Sequence, residues 1–557
     1  MNSPSARVRA IVAAIALMLI VAACGASPTP PPSADATPSD AVEPSEEASQ
    51  APAAEDASLT ILVGSFANER WDPRSMAGSS VFQRLYCADL IQADHENRFI
   101  PGVAESWEVS DDGLTWTFTI RDDVMFHNGE LLTVDDVVFS LQDLFGPEAV
   151  EAASPLGVDL GLVTESIEAT GPNTVEVRHT TPIPYFIAAL GQDGPPRGCI
   201  LPQAYFEEVG RDGFNREPIG AGPFMVTEIT PGQEIQFERF DDYYDPSQLP
   251  QFTHLTLGLV PEVATRVQAL NAGQADIIQA DLTVRDQIEE GGNQAVMTTE
   301  AGYPWFMLLG CWEEANPCSD KSVRLALDLA LDKELIMGGI YGDAWLNAGW
   351  MLATPNVLGY TEELAPREAD PDEARRLLAE AGYPDGEGFP PLIINAPSTG
   401  GDVALCCSEI ALLVAQQWSE VLGIPTEVRV GDLPTLRDRR FAGELDGQVF
   451  IRDNDSRWDG ASLTRGQYGS TPGNPSSDRL SEDPELLAAV EEAEEAFTPD
   501  DREEAYAELY PILREENYEI ALGTINAIWG VGPRVQGWEP LPIIPRPTAL
   551  WTIQLSE

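Results

Sequence analysis

The chain is poor in basic residues, and above all in lysine. Its 557 residues include only two lysines, Lys321 and Lys333, and 32 basic side chains stand against 91 acidic ones, a net charge of −59. Such a surface repels a phosphate backbone, so we expect no nucleic-acid partner. The acidity indicates either a soluble surface suited to salty surroundings or an attraction for cationic ligands. The first interpretation is favoured, because charge summed over a surface says little about a pocket.

The motifs of the commonest enzymes are also missing. The sequence contains no GxSxG, no HExxH and no GxxxxGK[ST], and its four histidines are scattered singly. There is no CxxC pair and no histidine cluster for a metal, and no motif implies a cofactor. An exported hydrolase that uses carboxylates alone stays open as an alternative, because two of the 91 acids would suffice.

Only one long apolar run is present, at residues 10–23, directly after Arg7 and Arg9. It is short for a membrane span and is typical of a secretory signal peptide, here residues 1–23. The run ends in "LIVAAC", which resembles a bacterial lipobox and predicts lipidation of Cys24. The alternative is an ordinary secretory signal with an incidental cysteine.

Residues 24–58 are rich in Pro, Ala, Ser and acid and have no apolar period to bury. We expect a disordered tether that lifts a folded body off the membrane. The predicted localisation is therefore extracytoplasmic, with a lipid anchor in the cell membrane, in the periplasm or at the cell surface.

Six further cysteines lie after Cys24, and in an exported protein they favour disulfides. The stretch "CWEEANPC" is a short closable loop with Asn-Pro to turn it, so we predict a Cys311–Cys318 bridge. Six cysteines allow 15 pairings. The pairing of Cys87, Cys199, Cys406 and Cys407 is left open.

One stretch predicts local structure in detail. Apolar and polar residues alternate over 114–120, and Asp112-Gly113 supplies the turn of a hairpin. Thr133 and Asp136 form a capping-box pattern that begins a helix. His127 lies between strand and helix without a second ligand nearby, so we interpret it as a hydrogen-bonded structural residue.

The sequence of this stretch closely resembles the signature segment of the family 5 extracellular solute-binding proteins, which are the peptide, nickel and opine receptors of ABC importers. The resemblance continues in order to the C-terminus. Its segments are "PGVAESWEVSDDGLTWTFTIRDDVMFHNGELLTVDDVVFS" (101–140), "PIGAGPF" (218–224), "ERFDDYY" (238–244), "ATRVQALNAGQADI" (264–277), "SVRLALDLALDKELIMGGIYGDAW" (322–345) and "DPDEARRLLAEAGYPDG" (370–386).

The resemblance implies an α/β fold, a two-lobed periplasmic-binding-protein-like clamshell of the large, three-subdomain form (type II). The alternation of strand and helix patterns independently indicates α/β lobes. The implied division is as follows: lobe one is 59–97, 218–302 and 526–557, its family-specific subdomain is 98–217, and lobe two is 303–525.

The resemblance implies that the protein captures a small solute and delivers it to the membrane subunits of an ABC permease. Among small solutes, a di- or oligopeptide is favoured. The expected protein is a monomer, and no bond is made or broken. A receptor for carbohydrate or another solute is the alternative within the same fold. A structural envelope lipoprotein is a further alternative.

The stretch "FIRDNDSRWDG" (450–460) is the richest candidate for ligand contact. In peptide-binding relatives an aspartate in the corresponding region meets the ligand's α-ammonium, so Asp453, Asp455 and Asp459 are the candidates, with Trp458 as a cleft wall. A calcium loop and a solvated acidic loop are the alternatives; Arg457 opposes the calcium reading because it stands where a third oxygen ligand belongs.

Aromatic residues supply the other candidates. Trp305 and Phe306 lie where the chain first crosses between lobes, and Arg70 and Trp71 follow the first strand, which relatives place at the cleft. Aromatic faces enclose ligands without demanding one side chain, and Arg70 suits a carboxylate. The alternative for each tryptophan is core packing.

Overall fold

In the computed structural model, three β-sheets of seven, six and four strands form the framework of the described part of the chain. The described residues are 57–66, 69–73, 82–94, 98–146, 160–191, 198–298, 303–311, 313–350, 353–355, 357–398, 407–453, 459–460, 484–538, 540 and 549–556.

Strands outnumber helices along the described chain. The strands are β1 (Ser58–Val63), β2 (Ile91–Ala93), β3 (Phe99–Pro101), β4 (Ala104–Val109), β5 (Thr115–Ile120), β6 (Thr164–Gly171), β7 (Thr174–His179), β8 (Phe224–Thr230), β9 (Glu234–Arg239), β10 (His254–Leu259), β11 (Ile277–Ala280), β12 (Gln294–Met297), β13 (Tyr303–Leu309), β14 (Trp345–Leu346), β15 (Leu392–Pro397), β16 (Thr426–Gly431), β17 (Gln448–Asp453), β18 (Glu519–Ile525), β19 (Ile528–Val531), β20 (Val535–Gln536) and β21 (Gln554–Leu555). The α-helices are α1 (Gln83–Tyr86), α2 (Val134–Phe145), α3 (Phe186–Gly191), α4 (Gln203–Phe214), α5 (Val263–Asn271), α6 (Arg285–Glu290), α7 (Lys321–Leu329), α8 (Gly339–Tyr341), α9 (Pro371–Glu380), α10 (Ser408–Leu422), α11 (Leu433–Phe441), α12 (Pro484–Glu495) and α13 (Pro499–Glu516).

A seven-stranded sheet has the order β12-β19-β11-β1-β10-β9-β8. Its central strand, β1, runs parallel to β10 and β11, whereas β9 and β19 pair antiparallel with their neighbours. Residues of β1, such as Leu59 and Ile61, are fully buried, as expected for a central strand.

A six-stranded sheet has the order β14-β18-β13-β17-β15-β16. Strand β15 is parallel to β16 and β17, and β13 is antiparallel to β17 and β18. The chain passes from the seven-stranded sheet to this one between Met297 and Tyr303, and it returns between Ile525 and Ile528.

A four-stranded antiparallel sheet, β4-β5-β7-β6, contains the hairpin that the alternating sequence predicts. The Cys87–Cys199 disulfide links the segment after α1 to the segment before α4, and both cysteines lie in the core of the seven-stranded sheet. His127 adds a second link: its Nε2 lies 3.0 Å from the carbonyl oxygen of Gly222, and its Nδ1 accepts from the backbone N–H of Gly220. The structural interpretation of His127 is thus confirmed.

Local signals in the sequence set several helix ends. Asp370 caps α9 by accepting from the backbone N–H of Glu373, and Pro371 occupies the first turn. Gly423 ends α10 in the left-handed conformation, with φ of 71°, which a residue without Cβ adopts without strain.

Three large hydrophobic cores organise the molecule. One belongs to the seven-stranded sheet and includes Trp71, and another covers one face of the six-stranded sheet and includes Trp305. The third is continuous from the four-stranded sheet to the opposite face of the six-stranded sheet, where it includes Phe306 and Phe450. Neighbouring residues of β13 therefore point into different cores.

A disulfide joins Cys311 and Cys318, the pair that the sequence predicts. Within the described ranges, none of the helices is both long and apolar enough to cross a bilayer.

Candidate functional site

The two large sheets turn corresponding edges toward each other. The parallel strands β1, β10 and β11 end at one edge of the seven-stranded sheet, and Ile528 of β19 pairs with Ala280 at that edge. In the six-stranded sheet, β15 and β17 end at the edge where Tyr303 pairs with Ile525. Only Asn526 and Ala527 separate β18 from β19. The Cα atoms of Ile525 and Ile528, at the two strand ends, are therefore at most about 10 Å apart. Ligands of open α/β sheets bind at the carboxyl ends of strands.

Asp453 is the last residue of β17 at this edge, directly opposite Trp305 in register. The Asp453 side chain is only 8% exposed, and Trp305 is fully buried. Trp305 Nε1 has no hydrogen-bond partner among the described residues. The structure thus brings together these two predicted site residues.

Tyr341 completes this corner of the fold. Its ring centroid lies 6.1 Å from that of Trp305. Burial raises the pKa of its hydroxyl, and the carboxylates of Asp453, Glu409 and Asp281 raise the pKa further. We call these three carboxylates the acidic cluster. All three act on the same hydroxyl.

The acidic cluster draws on both sheets. Asp281 directly follows β11, and its carboxylate accepts from the backbone N–H of Thr283. Glu409 lies in the first turn of α10, and its carboxylate accepts from the Ser408 hydroxyl. Sequence reasoning missed both residues. The available signal for Asp281 was an acid placed immediately after a buried strand.

This arrangement favours a positively charged group. Asp453 and Asp281 are nearly buried whereas Glu409 is exposed, and the two buried carboxylates attract a cation more strongly than they would in water. Among the described residues, no three His, Cys, Asp or Glu side chains are grouped so that they could hold a metal ion. An ammonium or guanidinium group fits the cluster by charge and by hydrogen bonding.

Phe306 lies on the other face of the sheet from Trp305. It is fully buried, and the Arg452 guanidinium lies 5.7 Å from the centre of its ring. The structure therefore does not bring Phe306 together with Asp453.

Asp459 has different partners from Asp453. It is 3% exposed, and one of its oxygens lies 2.7 Å from Arg502 Nε. Its other oxygen accepts from the Tyr506 hydroxyl at 3.0 Å. Asp455 and Trp458, the remaining candidates of this stretch, lie outside the described residues.

Trp71 is packed in the core of the seven-stranded sheet. Its ring centroid is 4.3 Å from that of Phe82, and its backbone N–H donates to Asn215 Oδ1. Arg70 beside it is exposed. These contacts are typical of core packing, which is the alternative that the sequence offered for Trp71.

Two α/β bodies joined by short crossings, with strand ends and an acidic cluster at the facing edges, define the two-lobed clamshell of a solute-binding protein. Residues 98–474 match the family model described as bacterial extracellular solute-binding proteins, family 5, middle. The chain belongs to this family. It is thus a substrate-binding protein of the ABC-importer type, and not an enzyme.

Similar proteins come from several bacteria. Heme-binding protein A of Haemophilus influenzae is 27% identical over 462 residues, which cover 79% of this chain and 82% of that protein. Di/tripeptide-binding protein 2 of Pseudomonas aeruginosa is 27% identical over 418 residues, covering 70% and 75%. A solved structure, the ABC transporter-associated periplasmic binding protein DppA from Helicobacter pylori in complex with peptide STSA, shares the fold with a TM-score of 0.73 at 20% identity, covering 90% and 98%.

Proposed function

We propose that this protein captures a short peptide between its two lobes and delivers it to the membrane subunits of an ABC permease. In this proposal it is a monomeric lipoprotein, anchored through Cys24 and separated from the membrane by the acidic tether. The peptide's α-ammonium binds at the acidic cluster, with Asp453 as its main partner.

The position of Asp453 is the observation that carries the proposal. The carboxylate is nearly buried, ends a strand at the edge facing the other lobe, and shares its field with Asp281 and Glu409. An ammonium enclosed in a closed cleft needs such a partner, because burying a charge without one is costly. Hydrogen bonds between charged groups are also roughly twice as strong as neutral ones.

A second candidate ligand is heme, because a relative that aligns over 79% of this chain is named a heme-binding protein. A peptide is favoured over heme here because the acidic cluster attracts cations, whereas the carboxylates of heme propionates would be repelled by it.

A thermal-shift screen of the full chain tests the proposal. The panel contains di- to hexapeptides, heme, a nickel–histidine complex, opines and oligosaccharides. We expect peptides alone to raise the melting temperature, with a shift that grows with concentration as mass action requires. Asp453→Asn should weaken peptide binding by roughly tenfold or more, since it removes the negative charge that strengthens the hydrogen bond to the ammonium.

The matched control is Asp372→Asn, which alters a carboxylate that is 98% exposed in an ion pair with Arg375 on α9. It should leave the peptide shift unchanged. A shift with heme or sugar and none with peptides would overturn the peptide assignment. An undiminished peptide shift in Asp453→Asn would overturn the site.

A further inference from the structure

The four-stranded sheet has contacts with both lobes. It is linked to the seven-stranded sheet by His127, which follows β5 and hydrogen-bonds Gly220 and Gly222 just before β8. Its hydrophobic core nevertheless continues into the face of the six-stranded sheet that α13 covers. Any separation of the lobes must therefore act on this second contact.

Arg502 of α13 is a polar centre of that contact. The side chain is nearly buried, at 3% exposure, and its Nη1 donates to the carbonyl oxygen of Pro184 beside the four-stranded sheet at 3.4 Å. The same nitrogen donates to the carbonyl oxygens of Ala496 and Phe497. Its Nε pairs with Asp459 at 2.7 Å. One guanidinium thus links three separate segments of the chain.

Phe497 is the apolar part of the same contact. Its ring centroid lies 6.4 Å from that of Trp116 on β5. The ring also lies against Gly113 at the hairpin turn, where any side chain would collide with it. Gly113 has a φ of 69°, so two separate constraints favour glycine at this position.

Helix α13 itself belongs to the lobe of the six-stranded sheet. Lys321 of α7 binds Glu515 and Glu516 at its end, and Arg514 pairs with the buried Asp328 of α7. The contacts of Arg502 and Phe497 therefore cross from one lobe to the other.

We propose that Arg502 and Phe497, with Asp459, form a latch that holds the clamshell closed. When the lobes separate, the Pro184 hydrogen bond and the Phe497–Trp116 contact break, while the Arg502–Asp459 pair stays within its lobe. Asp459 lies six residues after Asp453, so the latch and the proposed ligand carboxylate are on one short segment. The latch does not depend on which ligand binds, because all its contacts are between residues of the chain.

Energy transfer between two fluorophores in the full, ligand-free chain tests the latch. The fluorophores are attached to unnatural amino acids at the exposed positions Glu105 on β4 and Glu491 on α12. Wild type should show both the short distance of the closed form and the long distance of the open form. Two variants disrupt the latch: Phe497→Ala, and the double variant Asp459→Asn with Arg502→Met, which carries no charge at either position. Each should raise the ratio of open to closed molecules by about tenfold. The first loses a well-packed ring, and the second loses a hydrogen bond between charged groups.

The control is Arg376→Gln, which removes exposed ion pairs with Glu373 and Glu380 on α9 and should leave the distances unchanged. Near-ultraviolet circular dichroism checks that each variant is folded. Distances equal to those of wild type in both latch variants would overturn the latch. The experiment contains no ligand, so its outcome is independent of the peptide proposal.

Discussion

At the scale of single residues, Asp453 and Asp459 belong to one short stretch of sequence but have different surroundings. Asp459 is paired with Arg502 and hydrogen-bonded by Tyr506. Asp453 instead shares its surroundings with two more carboxylates around Tyr341. A carboxylate near other carboxylates gains from a bound cation, because the cation offsets their mutual repulsion.

His179 makes a pH-dependent contribution to stability. Burial lowers the pKa of this fully buried ring from 6.5 to about 4. The unfolded chain therefore takes up the proton first, and stability falls as pH drops from 6.5 toward 4. Replacing His179 by Asn should reduce the loss of unfolding free energy between pH 7 and pH 5 by about 2 kcal/mol.

Urea titrations of wild type and His179→Asn at the two pH values measure this difference. His254→Asn changes an exposed histidine and serves as the control, with a pH dependence equal to that of wild type. If His179→Asn retained the wild-type pH dependence, the buried neutral ring would not be its source.

At the scale of elements, the start of α2 ties two helices together. Asp136 Oδ2 accepts from the backbone N–H and the hydroxyl of Thr133, which completes the predicted capping box. Asp136 Oδ1 also accepts from the backbone N–H of Gln203 at the start of α4. Thr133→Ala should cost about 1 kcal/mol of unfolding free energy, and Asp136→Ala about 2–3 kcal/mol.

Chemical denaturation of the two single variants measures the costs. Asp135→Ala, one position earlier on the same helix, is the matched control and should have a much smaller effect. Equal costs for Thr133→Ala and Asp136→Ala would show that the link to Gln203 contributes nothing.

Elements governed by neighbours in sequence were predictable. The hairpin of β4 and β5, the capping box of α2 and the Asp370 cap of α9 all appear where the pattern places them. Each depends on residues within a few positions of one another, because turn and cap hydrogen bonds are local.

Features that depend on distant residues were not predictable from pattern. Cys87 and Cys199 are 112 residues apart, and spacing does not distinguish their pairing from the alternatives. The partner of Asp459 lies 43 positions away on α13, and Asp281 meets Tyr341 only through tertiary packing. The sequence pattern could indicate that an acidic residue lies at the end of a strand. It could not indicate which charged residues would surround that acid in the folded protein.

At the scale of the whole molecule, the proposed binding site and the proposed latch both lie between the lobes. The acidic cluster takes residues from both lobes, so a cation bound there favours the closed form. The proposed latch joins the four-stranded sheet to the region of α13. Two separate contacts thus bias one equilibrium between open and closed forms.

The strong negative charge of the molecule does not itself explain ligand choice. The net charge of −59 is spread over the chain, and surface charges are screened by salt beyond roughly 10 Å. Asp453 and Asp281 of the acidic cluster are nearly buried, so salt should screen their attraction for a cation less than it screens surface charges.

The most direct test of the central claim is calorimetric titration of the full chain with one tripeptide in two forms. The tripeptide is the one that gives the largest thermal shift, with a free amino terminus in one form and an acetylated amino terminus in the other. Because acetylation removes the charge that the acidic cluster would bind, we predict that it weakens binding by roughly a hundredfold. Equal affinity for the two forms would contradict the account.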